Sequence, residues 1–394
     1  MNRRSPKSGS ILVIVMVTLI FTATALVMFL EKANNDLAVD ARVIVANRLR
    51  REAYSAVEVT LATLVDFGLA DNGLHSTGEG WGDPLKWAGW TPDPGHTVEV
   101  SFQDESAKIP LNHADSATLT NLFQAWKMTQ TDSQHLADVL LTWMQQNYIP
   151  TNTFNPDYEQ GSLPYTPPYR AMRSQNELAA IDYAKDVFYD KQGRPNDLWW
   201  RFWNDCSIYN FRSPNINAAN SDVLAAVGQF GDDQQQTIGN YLAGTGNYSS
   251  LGPQWFTNST AVRGVVGVVG NTGSFGTTIT ALRILVTVRE GPHSQYRLSV
   301  VVSPGTSGAK TVQTTATNVK AGASTSATGE TTAADNTPGT PAPPINQSHE
   351  TPTSAQASAA AAGTAALQYP FTILEVLEND QIPVQPPPPP AKSG

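Results

Sequence analysis

Residues Ile11 to Leu30, ILVIVMVTLIFTATALVMFL, contain no charged side chain. About 20 consecutive apolar residues are what a helix needs to cross the hydrocarbon core of a bilayer. Arg3, Arg4 and Lys7 precede the run, so the positive-inside rule keeps the N-terminus cytoplasmic and sends the rest of the chain outward. An ordinary secretory signal has a shorter apolar region closed by a small-residue cleavage site. Here Ala23 and Ala25 lie inside the run, and Glu31-Lys32 follow it without a break. The helical pattern then continues: Val39, Val43, Ala46, Ala53, Val57, Leu61 and Leu64 recur at helical spacing as one apolar face. Asp36, Asp40, Arg42, Arg48, Arg51 and Glu52 occupy much of the remainder, and Asp66 to Gly73, with two glycines, offers a stop. One helix is expected from about Ile11 to Val65, roughly 80 Å long. Its first half faces lipid and its second half packs on a soluble head. The uncharged first half excludes a cytosolic coiled coil.

Leu74 to Gly95, rich in Gly, Pro and Trp, reads as a loop whose tryptophans (Trp81, Trp87, Trp90) pack against the head. His96 to Gln103 alternates polar and apolar residues and reads as a half-buried strand. A short internal repeat follows. Asn112, Ala114, Ser116 and Leu119 recur about 105 residues later as Asn217, Ala219, Ser221 and Leu224. Each copy reads as a strand handing over to a helix. Asp115 or Ser116, and Asn220 or Ser221, are the expected N-caps, and Asn112 and Asn217 are expected to bond nearby backbone and hold the turn. Helices are expected at Ser116–Met128, Ser133–Gln146, Ser174–Ala184, Pro195–Asn204, Val223–Gln229 and Asp232–Leu242, with Gly244 to Gly276 mostly loop. Thr280–Arg289 and Gln295–Ser303 form a hairpin around Glu290-Gly291-Pro292-His293-Ser294. Pro304 to Ala366 has very few bulky apolar residues and is expected to be disordered. Tyr369–Glu378 reads as a third strand of the hairpin's sheet, since loop closure costs rise slowly with insert length. Pro386–Pro390 is a polyproline stretch.

A net charge of -9 argues against a nucleic-acid binder, which needs clustered Lys and Arg. The single cysteine, Cys206, can form no intrachain disulfide and reads as a small packed residue. The six histidines (His75, His96, His113, His135, His293, His349) are scattered, with no pair at metal-ligand spacing on an expected helix. No G-x-S-x-G, phosphate loop or Cys/His nucleophile signature is present, so no catalytic residue is assigned and the chain is read as non-enzymatic. Asp182, Asp186 and Asp190 recur every fourth position and read as the solvated face of a helix.

The leader Lys7-Ser8-Gly9-Ser10 abutting the apolar run resembles the processing site of prepilin peptidase substrates, with Gly9 and Ser10 as the processed pair. Most pilins carry glutamate at the fifth mature position; here it is Ile14, a departure shared with the K pseudopilins. Asp104-Glu105-Ser106-Ala107-Lys108-Ile109-Pro110-Leu111-Asn112-His113-Ala114 resembles that family's (D/E)…K-I-N-L-N-T-A turn, and Asn215-Ile216-Asn217-Ala218-Ala219 its V-N-V-N-T-A turn. Pro110 and His113 replace commoner residues. Leu136 to Trp143 resembles the helix between them, and Pro167-Pro168-Tyr169-Arg170 with Glu177-Leu178 the stretch after it. The chain therefore resembles the general secretion pathway protein K family, the minor pseudopilins of type II secretion; the long 304–367 insert is a departure from it.

That resemblance implies an α+β fold, a long pilin-like N-terminal helix packed on an antiparallel sheet with an inserted α-helical subdomain. The divisions are a leader 1–9, a transmembrane helix 10–30, a helix extension with first strands 31–111, and the helical insert 112–213. The second turn and sheet follow at 214–303, then the insert 304–367, a last strand 368–380 and a Pro-rich tail 381–394. It implies a single-pass inner-membrane protein with a periplasmic C-terminal domain. Its partners would be the I- and J-type minor pseudopilins, the major pseudopilin, the assembly platform and prepilin peptidase, which also methylates its products. Some relatives bind calcium in the helical subdomain. Asn155, Asp157 and Glu159 make a loose oxygen set there, and no metal is assigned. A type IV minor pilin and an uncleaved membrane-tethered binding protein are the alternative readings.

Overall fold

A computed structural model describes residues 8–151, 158, 164–267, 270–292, 294–305 and 370–385. Helix α1 runs unbroken over Ser8–Ala70, 63 residues, or about 95 Å. It continues past Val65 because its stop lies further on. Asn72 takes a left-handed backbone (φ 56°), and the Gly73 N–H reaches the Gly68 carbonyl at 2.9 Å, a Schellman-type ending in which asparagine does glycine's usual work. On the far half of α1, Leu49, Ala53, Ala56, Val57, Leu61 and Leu64 are buried. The two alanines let the helix approach its neighbours closely.

Those neighbours are a four-stranded antiparallel sheet in the order β1-β4-β5-β6, made of β1 His96–Asp104, β4 Leu282–Glu290, β5 Ser294–Pro304 and β6 Phe371–Glu378. Register runs from His96↔Glu290 to Asp104↔Leu282, from Leu282↔Val302 to Glu290↔Ser294, and from Leu298↔Glu378 to Pro304↔Phe371, with a bulge at Val301/Val302. Strand alternation places Leu282, Ile284, Val286, Val288, Leu298, Val300 and Val302 in the core shared with α1. The third strand of the hairpin's sheet is β6, and Pro304 and Phe371 lie opposite each other at either side of the long insert.

The helical elements are α2 Pro84–Trp87, α3 Ser116–Ala125, α4 Gln130–Met144, α5 Ala184–Phe188, α6 Asp197–Asp205, α7 Ser221–Gly228, α8 Asp232–Ala243 and α9 Ser259–Val266. A two-stranded parallel pair joins β2 Ile109–Pro110 to β3 Cys206–Ser207. Their core runs from Ile109 through Phe123, Leu140, Phe188 and Phe202 and on to Ile216, Leu224, Phe256 and Phe275. The helical core thus passes well beyond residue 213, because α7 packs on α3 and brings α8 and α9 with it.

Several local expectations are corrected. Tyr183 adopts φ 61°, which breaks Ser174–Ala184 into a 3-10 turn, Gln175–Ala180, and the short α5. Of Asp182, Asp186 and Asp190, only Asp186 is therefore helical. Asp83 caps α2 with Pro84 at its first position, so Leu74 to Gly95 is not all loop. Asn258 caps α9, which gives the Gly244 to Gly276 stretch a helix. Trp81 is fully buried, whereas Trp87 stays 64% exposed. Cys206 is buried, and burial pushes its thiol well up. Asn155, Asp157 and Glu159, residues 306–369 and the polyproline stretch lie outside the described residues.

Candidate functional site

The apolar half of α1 is bare. A membrane-length window in it has a mean hydropathy of 2.7 and no residue buried by the rest of the chain. Ile14 is 59% exposed. Gly9 and Ser10 lie in the first turns of α1, and their side chains lie outside the described residues. Above the apolar run, residues 31–44 form a stem of about 21 Å, exposed along its length except at Ala33.

Where α1 meets the sheet, two arginines fasten it to opposite edges. Residues two apart on a helix point about 200° apart, so Arg48 and Arg50 reach different strands. Arg50 donates to Glu378 of β6 at 2.8 Å, and the Tyr54 hydroxyl donates to the same oxygen at 2.7 Å. Those bonds, Tyr54's first, hold the Glu378 carboxyl below its ordinary range. Arg48 Nη2 lies 2.6 Å from His96 Nε2 of β1 and 3.7 Å from Glu290. The other ring nitrogen, Nδ1, bonds to Glu52, which also accepts the Asp93 N–H at 2.7 Å. Ligand atoms of Glu52, Asp93 and His96 lie within 4.8 Å of one another. Arg48 already supplies the cation in that cluster, and Nε2 is spent as its acceptor, so the geometry is that of a clamp rather than a metal centre.

The two turn units meet where the body joins the helices. Asp115 and Asn220 cap α3 and α7, accepting N–H bonds from Thr118 at 2.7 Å and Val223 at 3.0 Å. The roles of Asn112 and Asn217 differ from expectation. Asn112 donates to the Asn210 side chain, not to nearby backbone. Asn217 accepts from the Phe256 N–H at 2.7 Å and donates to the Phe256 and Thr277 carbonyls, both at 2.9 Å, so it ties down distant chain. The local turn bond belongs to Asn215, whose side-chain oxygen accepts from the Asn217 N–H at 3.2 Å. Ala114 is buried and Ala219 partly buried; each is small where its unit packs.

Around these turns lies a buried charged group that motif reading did not assemble. Arg283 of β4 donates to Glu105 at 2.6 Å, Glu375 of β6 at 2.9 Å and Ser299 at 3.0 Å. Lys108 pairs with Glu105 at 2.9 Å and donates to the Trp203 carbonyl at 2.9 Å. Burial alone pushes the Glu105 carboxyl up, but Lys108 and Arg283 outweigh it and hold it low. The available signal was a lone arginine in the apolar strand TALRILV.

Asp104 accepts from the Ser106 N–H and hydroxyl and from Asn215 at 2.7 Å. Burial outweighs these bonds and pushes its carboxyl up to about 7. Burial likewise pushes Asp205 up to about 6. Both bind a proton more tightly folded than unfolded, so stability falls as pH rises from about 4 towards 7. Glu105 and Glu378, shifted the other way, lose their contribution only at more acid pH. Chemical denaturation should give an unfolding free energy higher at pH 5 than at pH 8, by roughly 1–3 kcal/mol. A flat or rising profile contradicts these assignments.

A membrane-length helix, continuous with a buried half under an antiparallel sheet and carrying a helical insertion, defines a pilin-like α+β protein. Residues 100–191, from within β1 to just past α5, match the family model for type II secretion system (T2SS) protein K. That segment, less than a quarter of the chain, is similar to T2SS protein K. No curated protein sequence matches it significantly. A solved structure of the GspK-GspI-GspJ complex from the type 2 secretion system of enterotoxigenic Escherichia coli is similar over 69% of this chain and 94% of that one, at 13% identity and a TM-score of 0.42.

Proposed function

We propose that the protein is a minor pseudopilin at the tip of the type II secretion pseudopilus, supporting fibre initiation and protein export across the outer membrane. The observation that carries this reading is α1 itself, bare and apolar near its start, then buried under its own sheet. Such a helix anchors the chain in the inner membrane and still presents its stem to neighbouring subunits, while the head stays periplasmic.

Ile14 supports the tip position. After Lys7 the first charged residue is Glu31, so the apolar half offers no carboxylate to neutralise the amino terminus of a subunit ahead. A cap has no such subunit to receive it. The helical subdomain adds bulk to the head that would obstruct further addition. I- and J-type minor pseudopilins are the neighbours beside the stem. The major pseudopilin, the assembly platform and prepilin peptidase complete its partners.

Affinity capture of the full chain from detergent-solubilised membranes containing the I and J proteins tests this reading. Both are expected to co-elute with it. Recovery of the chain alone, from cells whose I and J proteins still capture one another, would contradict it.

A further inference from the structure

The cleft beside the first turn unit has a volume of about 470 Å3, within the range of ligand sites. His113, Asp115 and Asn121 line it from the first unit, with Arg212 from the approach to the second, Gln229 from the end of α7, and Asn271. Two of these groups are engaged: His113 Nε2 donates to Asn210 at 2.9 Å, and Asp115 caps α3. Arg212 and the side-chain amides of Asn121, Gln229 and Asn271 have no hydrogen-bond or ion-pair partner among the described residues. Arg42, Arg51, Arg263 and Arg297 are likewise without an ion-pair partner among the described residues, but of these arginines only Arg212 lines the cleft.

We propose that this cleft binds an extended peptide segment through one acidic side chain. The guanidinium fork of Arg212 matches a carboxylate bidentately. Each side-chain amide offers donors and an acceptor, which suits the alternating N–H and C=O groups of a peptide backbone. Asp115 sets the charge limit. Its carboxylate lines the same cleft as the single arginine, which disfavours a densely anionic ligand and leaves room for an isolated negative charge on an otherwise neutral chain.

The test uses the full chain in detergent micelles and a short fluorescent peptide, blocked at both ends, with one central glutamate. Fluorescence anisotropy should show saturable binding. Arg212→Gln should weaken it by about tenfold or more, and replacing the peptide's glutamate by glutamine should do the same. Arg263→Gln, on the exposed side of α9, should leave affinity unchanged. Because Arg212 is exposed and unpartnered, its variant should keep the wild-type thermal midpoint, which separates lost binding from lost fold. Equal binding by wild type and Arg212→Gln, equal binding of the two peptides, or no saturable binding overturns the proposal. So does displacement by equimolar inorganic phosphate, which would mark a general anion site. None of these outcomes bears on leader processing or on capture of the I and J proteins.

Discussion

Replacing Arg283 with methionine is expected to destabilise the head by about 3–5 kcal/mol, the cost of breaking a buried ion pair from one side. The size follows from what remains. Arg283 is buried at 8% exposure and Glu105 at 1%. Without the guanidinium, Glu105 keeps only Lys108, itself buried, while Glu375 and Ser299 each lose a donor. Burial opposes the charge on Arg283, and the Glu105 and Glu375 carboxylates more than offset it. The loss also spreads through the fold. Arg283 connects β4 to β6 directly and, through Glu105 and Lys108, to the Trp203 carbonyl in α6 of the helical subdomain. Glu375→Gln should cost clearly less, since Glu375 is 27% exposed and its loss leaves Arg283 paired with Glu105. Chemical denaturation of the full chain in detergent, followed by tryptophan fluorescence, checks both. An Arg283→Met variant within about 1 kcal/mol of wild type would mean that the cluster is solvated and does not join the parts of the head.

What could be read from the sequence is what depends on local pattern. The charge-free run, the apolar stripe through Leu64, the hairpin and the cap positions at Asp115 or Ser116 and at Asn220 or Ser221 are set within a few residues of themselves, and α1, β4, β5, α3 and α7 follow from them. The boundary of the helical subdomain was not local. Residue 213 marks the end of the first helices, but Leu224, Phe256 and Phe275 complete the same core because α7 returns to α3. Asn217 shows the same limit at the scale of one side chain. Its composition and position predict a turn former, yet its three bonds go to Phe256 and Thr277, partners that only the folded path brings near. Tyr183 interrupts a helix that periodicity favours, because its positive-φ backbone lets the chain turn into α5. Arg283 was visible as an anomaly in a strand, but Glu105, Lys108 and Glu375 come from three other places in the chain.

The second large effect is all-or-none and concerns the leader. Processing between Gly9 and Ser10 would remove Arg3, Arg4 and Lys7, which in the proposed topology would hold the N-terminus on the cytoplasmic face. The new amino terminus would then sit at the start of the apolar run, and the helix could leave the bilayer without carrying that cluster through hydrocarbon, where each cationic side chain costs several kcal/mol. Gly9→Leu is expected to block cleavage, leave the chain in the inner membrane, and stop its entry into pseudopilus fractions while leaving the head folded. Mass spectrometry of the N-terminus, in cells with and without prepilin peptidase, is the most direct measurement. A chain beginning at Ser10 is expected when the peptidase is present and one beginning at Met1 when it is absent; a Met1 terminus in both strains would contradict processing between Gly9 and Ser10.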